Sequence, residues 1–211
     1  MFGARSSTIA RRGLVLAAAT AVACMLGSGI AAADVPVNNY LNWNGVFPII
    51  GKLDPITTQT VTTLPSPVKV GVQSANFPVS ITVTAPALAG TGLRDVQAAT
   101  LQGTASVTVS GTDSAGQVYT ETVPLTIPST PTPAAGQALT FNANGSAFIP
   151  AIAHAGSGTM KVTAASTTLD PKKADGTDTV LKTFTVKLNL DATGPSQNPT
   201  NNPTLGTIVA Q

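Results

Sequence analysis

Hydrophobic and polar residues alternate most clearly between residues 101 and 128. The apolar residues of 105–109 are separated by Ser and Thr, which is the two-residue period of a β-strand with one solvated face. Residues 113–116, Asp-Ser-Ala-Gly, form a turn signal, because Asp bonds its own backbone and Gly accepts positive φ. A second extended run starts at Val118. The stretch therefore predicts a β-hairpin.

The second strand of this hairpin contains two prolines and one acid. Pro124 and Pro128 donate no ladder hydrogen bond, so we expect this strand at a sheet edge or where it leaves the sheet. Glu121 interrupts the apolar positions of the strand, which predicts that its first part reaches solvent.

The same alternation predicts further strands and almost no helix. Residues 79–84 and 204–209 have the pattern, and 180–190 is predicted to be the longest strand. Residues 87–99 are the one place where a helix can form, and two glycines limit it to a turn or two.

Seven to nine short strands with Gly and Pro turns predict an all-β fold, an antiparallel β-sandwich of immunoglobulin-like topology, with a barrel as the alternative. Residues 34–211 are expected to form a single domain. The Pro-rich segment 128–136 is interpreted as a crossover between two sheets, with an interdomain hinge as the alternative. Residues 194–203, rich in Pro, Asn and Gln, are predicted to be mobile.

The N-terminal segment 1–33 has the pattern of a signal peptide. Its basic start is followed by an apolar run, residues 13–26, shorter than the ~20 residues of a membrane-spanning helix. Three alanines, 31–33, predict cleavage before Asp34 and a secreted protein without a transmembrane segment.

Two alternatives concern how this segment is processed. Arg11-Arg12 allows export by the twin-arginine route. Cys24 follows Ala21-Val22-Ala23, which allows lipidation of that cysteine and anchoring as a lipoprotein.

Composition limits the classes of partner. Charged residues make up 9% of the chain, and its formal net charge is +2. Three of the eleven basic residues are arginines of the predicted signal peptide. The chain from Asp34 onward is close to neutral, and Lys172-Lys173 is too short a basic run for nucleic acid. Because Cys24 is the only cysteine, the secreted domain is expected to have no disulfide.

Few side chains are candidates for chemistry. His154 is the only histidine, which excludes a His-rich metal centre, and a Ser/His/Asp triad would have to use it. Residues 151–156 contain no nucleophile motif of the G-x-S-x-G kind, so we interpret His154 as a loop residue. The sequence therefore predicts no catalytic residue and no cofactor.

Two other motifs are assigned to turns. A calcium site is one interpretation of three acids in a Gly-containing loop, Asp170, Asp175 and Asp178. The acids do not occupy alternate positions as in a calcium-binding loop, and two lysines lie between them, so no metal is predicted. Residues 144–146, Asn-Gly-Ser, match a glycan acceptor and equally a turn.

Aromatic residues supply the remaining candidates for ligand contact. Trp43, Tyr40 and Tyr119 could form a platform for sugar stacking, although a lone Trp in a small β-protein is more often part of the core.

A series of short motifs follows Trp43 in a fixed order: Phe47–Gly51, Leu88–Gly92, Gly136–Phe141, Gly145, Ile149-Pro150, Gly158–Val162, Leu169–Pro171, Asp175-Gly176 and Thr204–Ile208. In this order the motifs resemble those of a family of secreted actinobacterial domains of unknown function. The resemblance implies a β-sandwich, secretion and no known activity, so it supplies no catalytic residue. The family usually has a cysteine near each end, at positions close to Gly45 and Ala192, and both are absent here.

The function expected from these features is a non-enzymatic one. A secreted, Thr-rich β-protein without an evident active site is expected to act by surface contact with a protein or cell-wall partner in the cell envelope or an extracellular matrix. The alternatives are a carbohydrate-binding module, and a secreted hydrolase that uses His154.

Overall fold

A computed structural model describes residues 33–191 and 201–211. The predicted signal peptide 1–33 lies almost wholly outside the described residues, as do Cys24 and most of the segment 194–203. All elements belong to one compact unit, Ala31–Gln211. They are β1 (Val35–Phe47), β2 (Gly51–Leu64), β3 (Phe77–Ala85), α1 (Ala87–Asp95), β4 (Thr100–Thr112), β5 (Val118–Pro131), β6 (Leu139–Ala147), β7 (Gly156–Lys172), β8 (Phe184–Leu190) and β9 (Thr204–Ala210).

The strands form a closed barrel, so the prediction of an immunoglobulin-like sandwich is wrong. The order β4-β5-β6-β3-β2-β1-β8-β7 returns to its start because β7 also pairs with β4. That antiparallel pairing extends from Thr100↔Lys172 to Thr112↔Thr159. A sandwich would leave the edges of both sheets unpaired, whereas closure satisfies their backbone groups with each other. The barrel that the sequence left as an alternative is the observed fold.

β8 and β9 share the gap between β1 and β7. β8 pairs with residues 165–169 of β7, and β9 pairs with residues 156–161 of the same strand. The two short strands therefore follow one another along the same edge of β7. The Asn201 side chain donates a hydrogen bond to the Asn42 carbonyl (3.0 Å) and accepts one from the Asn42 amide, which ties the chain before β9 to β1.

The predicted hairpin and helix are confirmed. β4 and β5 pair from Thr112↔Val118 to Thr100↔Pro131, and α1 is the one short helix of the described chain. At nine residues, α1 is neither long nor apolar enough to cross a membrane. The longest described strand is β7, not 180–190, because β7 continues through Asp170 and pairs with β4 to Lys172.

Side chains from alternate positions fill the barrel. In β3 every second residue from Phe77 to Ala85 is buried, and the other residues reach the surface. Leu101 is completely buried, and burial of one such side chain contributes about 2 kcal/mol to the free energy of unfolding. Two voids between the buried side chains of the described residues are small, at about 40 and 30 Å³.

The two ends of the barrel differ. The β1–β2 turn, α1 and the segments 132–138 and 173–183 lie at one end, called the helix end below. The segments 65–76, 113–117 and 148–155 lie at the other, called the far end. The Pro-rich segment 128–136 is the end of β5 and its connection to β6 at the helix end.

Candidate functional site

A groove of about 540 Å³ lies on the outer wall of the barrel and is called the wall groove below. It crosses β7, β4, β5 and β6, and its volume lies in the range of small-molecule sites. Its lining consists of Thr104, Ala105, Ser106, Pro124, Leu125, Thr126, Asn144, Gly145, Ser146, Ser166 and Thr168.

The wall groove follows from the way β5 crosses β6. The two strands pair only at Leu125↔Gly145 and Thr126↔Asn144. A Cβ at Gly145 would lie 2.3 Å from the Pro124 carbonyl oxygen, so the backbones meet more closely than any other residue allows. The strands diverge on both sides of this point, and the wall is concave there.

Hydroxyl and amide groups supply the chemistry of the wall groove. The Ser106 and Ser166 hydroxyls are 2.9 Å apart, and Ser80 donates to Asn144 Oδ1 at 2.9 Å. Because Asn144 accepts that second bond through Oδ1, its amide nitrogen can still donate to a ligand. None of the lining residues is ionisable. The surface therefore suits an uncharged ligand that both donates and accepts hydrogen bonds.

A second polar site lies at the far end, around the carboxylate of Asp113. Its side chain is 1% exposed. Oδ1 accepts hydrogen bonds from the amides of Ala115 (2.9 Å) and Gln117 (2.8 Å). Oδ2 lies 2.8 Å from His154 Nδ1 and accepts a bond from the Tyr119 hydroxyl at 3.2 Å.

The balance of these contacts favours the ionised form of Asp113. Burial by itself would raise the pKa of the carboxyl group, but the hydrogen bonds from His154, Gln117, Ala115 and Tyr119 outweigh it and hold the pKa below its usual value. Asp113 thus joins the β4–β5 turn to the segment 148–155. The Ala153 amide, which donates to the Tyr119 hydroxyl at 2.8 Å, strengthens the same connection.

The contact between Asp113 and His154 has the geometry of the acid–histidine contact in a hydrolase triad. Asp113 orients the His154 ring through Nδ1, as an acid does in a triad. Among the described residues, Asp113 is the only hydrogen-bond partner of that ring, so no hydroxyl nucleophile is bonded to Nε2. The nearby Ser114 hydroxyl donates to the Ala155 carbonyl at 2.6 Å.

The three aromatic candidates occupy different parts of the barrel. Trp43 is 2% exposed and donates from Nε1 to Thr58 Oγ1 at 2.9 Å inside the barrel. Tyr40, on the same strand, faces outward and is 46% exposed. Tyr119 is part of the Asp113 site at the far end. The structure does not bring the three together.

Two of the three acids in the calcium interpretation, Asp170 and Asp178, are paired with a lysine. Lys172 Nζ lies 3.0 Å from Asp170 and also bonds Asp178, and these hydrogen bonds raise the pKa of the ammonium group. Asp175 accepts bonds from the amide and hydroxyl of Thr177 within its own turn, which lowers its pKa. Across residues 33–191 and 201–211, no group of three potential ligands could hold a metal.

The sequence did not identify either site. The acid at the first position of the β4–β5 turn was visible, but its partner His154 is 41 residues away. The Ser and Thr residues of the wall groove were visible as the solvated faces of strands, and only the strand order places four such faces side by side.

A comparison with protein families finds one match. The model of a family of unknown function (DUF6801) matches residues 42–200. No curated protein and no solved structure matches the chain.

Proposed function

Because the chain belongs to DUF6801, a family of unknown function, we propose a function from its geometry. We propose that it is a secreted, non-enzymatic protein that acts by surface contact in the cell envelope or extracellular matrix. The wall groove is the contact surface. The observation that carries this proposal is the contrast between a barrel interior filled by side chains and an outer groove of about 540 Å³.

The lining of the wall groove supports contact without catalysis. Catalytic sites place titratable groups where they reach the reacting atoms, and the groove lining contains none. Serine, threonine and asparagine at fixed positions on four strands provide hydrogen bonds on a rigid surface, which reduces the entropy lost on binding. The predicted leader supports the location outside the cell.

The test is co-sedimentation of the protein with isolated cell envelope. Thr126→Arg places a long charged side chain in the wall groove, and we expect it to reduce co-sedimentation at least tenfold. Thr120→Arg is the matched control, since Thr120 is an exposed residue of the same strand outside the groove. Equal losses in both variants, or no sedimentation of the wild type, would count against the proposal.

Carbohydrate binding is the second candidate, and the hydroxyl and amide lining of the wall groove favours it. Sugars present the same donors and acceptors, but the groove contains no aromatic ring for stacking. A glycan array on which Thr126→Arg loses signals that Thr120→Arg keeps would support it, and an array without signals would remove it.

The hydrolase candidate depends on the Asp113–His154 pair. It predicts hydrolysis of an activated ester that His154→Ala abolishes. We expect equal, background rates for the two proteins, because the described residues supply no nucleophile bonded to the ring.

A further inference from the structure

The turn between β1 and β2 has an unusual conformation at Ile49. The Ile50 amide donates to the Pro48 carbonyl at 2.8 Å, which closes a three-residue γ-turn around Ile49. Ile49 has φ +70°, which identifies the rare, strained form of this turn. A β-branched residue at positive φ is an outlier, since Gly or Asn adopts this conformation at lower cost.

The strained residue does not contribute to the core. Ile49 is 65% exposed. Its neighbour Ile50 packs over α1, where the Cγ2 atom lies 2.7 Å from the position that a Cβ of Gly92 would take. The turn therefore holds Ile50 inward and Ile49 outward. Strain that is retained without benefit to packing points to a role for the exposed side chain.

Three other aliphatic side chains are exposed at the same end of the barrel. They are Val46 (68%), Leu88 (47%) and Val180 (80%). Each of the four is adjacent in sequence to a residue that lines one small void of about 20 Å³ under the turn. The neighbours that meet at this void are Phe47, Pro48, Ile50, Ala89 and Leu181.

We propose that these four side chains, the apolar cap, insert into the lipid layer of the cell envelope. The inference rests on the proposed location outside the cell but concerns a different face from the wall groove. The apolar cap would orient the barrel with its helix end against the lipid and leave the outer wall free for the groove's ligand.

The size and composition of the apolar cap favour lipid over a protein partner. Four side chains fall far short of the ~800 Å² per partner that a stable protein interface buries. The exposed residues are all aliphatic, whereas protein interfaces rely on Trp, Tyr and Arg as anchors. Side chains on separate elements insert into a fluid layer without needing a complementary pocket.

The neighbouring charges indicate that the lipid need not be anionic. Lys52 pairs with Asp54 at 3.0 Å, and Lys172 pairs with Asp170 at 3.0 Å. The Arg94 guanidinium donates to the Pro133 carbonyl at 2.8 Å. The helix end also carries Lys173 and Lys182, and its five cations are matched in number by five acids, Asp54, Asp95, Asp170, Asp175 and Asp178. Because the charges at this end balance, insertion is expected to depend on apolar area and to change little with salt.

The experiment is flotation of residues 34–211, which contain every strand of the barrel, with phosphatidylcholine vesicles. Ile49→Asn removes the aliphatic side chain and relieves the backbone strain, because Asn tolerates positive φ. We expect about a tenfold loss of vesicle binding, the loss that burying one aliphatic side chain implies. Thermal stability is expected to stay equal or rise. Val180→Asn is a second variant with the same expected loss.

The controls separate this proposal from the others. Val118→Asn changes a valine that is 61% exposed at the far end, and we expect it to bind vesicles as the wild type does. Binding that requires anionic lipid, equal binding by wild type and Ile49→Asn, or no binding by the wild type would overturn the proposal. Envelope co-sedimentation of Thr126→Arg tests the wall groove separately, so the two failures are distinguishable.

Discussion

Gly145→Ala tests whether the crossing of β5 and β6 holds the barrel wall together. The added Cβ would lie 2.3 Å from the Pro124 carbonyl oxygen and 2.8 Å from Leu125 Cδ2. Ordinary contact begins at 3.4 Å, so β5 and β6 must separate by about 1 Å. The separation falls on the only two residue pairs that join these strands.

The expected loss of stability is the sum of two costs, the overpacking by the added Cβ and the loss of ladder hydrogen bonds between β5 and β6. Overpacking costs about 1–3 kcal/mol, and each ladder hydrogen bond lost costs about 1 kcal/mol. We therefore expect Gly145→Ala to lower the free energy of unfolding by about 3–5 kcal/mol, out of the ~5–15 kcal/mol typical of a domain. In urea this corresponds to a midpoint lower by about 2 M.

Gly111→Ala is the matched control. Its Cβ would have no neighbour closer than 3.9 Å, and Gly111 also lies in a strand of the wall. The substitution is expected to leave the free energy of unfolding unchanged or to raise it by up to about 1 kcal/mol. If urea unfolding showed the two variants equally stable, the tight crossing at Gly145 would be refuted.

Three further predictions concern stability. The pKa of Asp113 is lowered in the folded state, so its contribution to the free energy of unfolding is present above the usual pKa of 3.8 and is lost as the pH falls through the folded-state pKa. Urea midpoints measured from pH 6 to 2 should show this loss. A wild-type profile parallel to that of Asp113→Asn would contradict it. Thr179→Val is expected to stabilise by about 1 kcal/mol, because the buried Thr179 hydroxyl has no hydrogen-bond partner among the described residues. Thr58→Val, which breaks the bond to the indole of Trp43, should destabilise by a similar amount. In the same urea assay, Leu101→Ala should cost about 2–5 kcal/mol, and a loss below 1 kcal/mol would show that the site collapses around the smaller side chain.

The strands could be predicted because their signal is local. The alternation of 105–109 with Ser and Thr produces β4, and Asp113 to Gly116 closes the hairpin at the expected place. The helix predicted within 87–99 is α1, although it runs through both glycines, which were expected to limit it, and ends at Asp95. These features need only neighbours in sequence, which is why periodicity and turn chemistry identify them.

The prediction from Pro124 and Pro128 that the second hairpin strand lies at a sheet edge is only partly correct. β5 is not an edge strand, since it pairs along β4 and also meets β6. Its short pairing with β6 agrees with strand prolines that donate no ladder hydrogen bond. The prolines thus indicated a strand with few hydrogen bonds to one neighbour. The local sequence could not distinguish such a strand from an edge strand.

Sequence alone determined that this chain forms antiparallel strands with one solvated face and one brief helix, and that it carries few charges. Tertiary structure alone decided that β7 returns to β4 and closes a barrel, that Asp113 meets His154, and that four strands form the wall groove. The physical reason is separation along the chain. The residues of β4 and β7 that pair are about 50–70 positions apart, and alternating Val and Thr residues pair equally well with several possible neighbours. Only the packing of the whole interior selects one strand order.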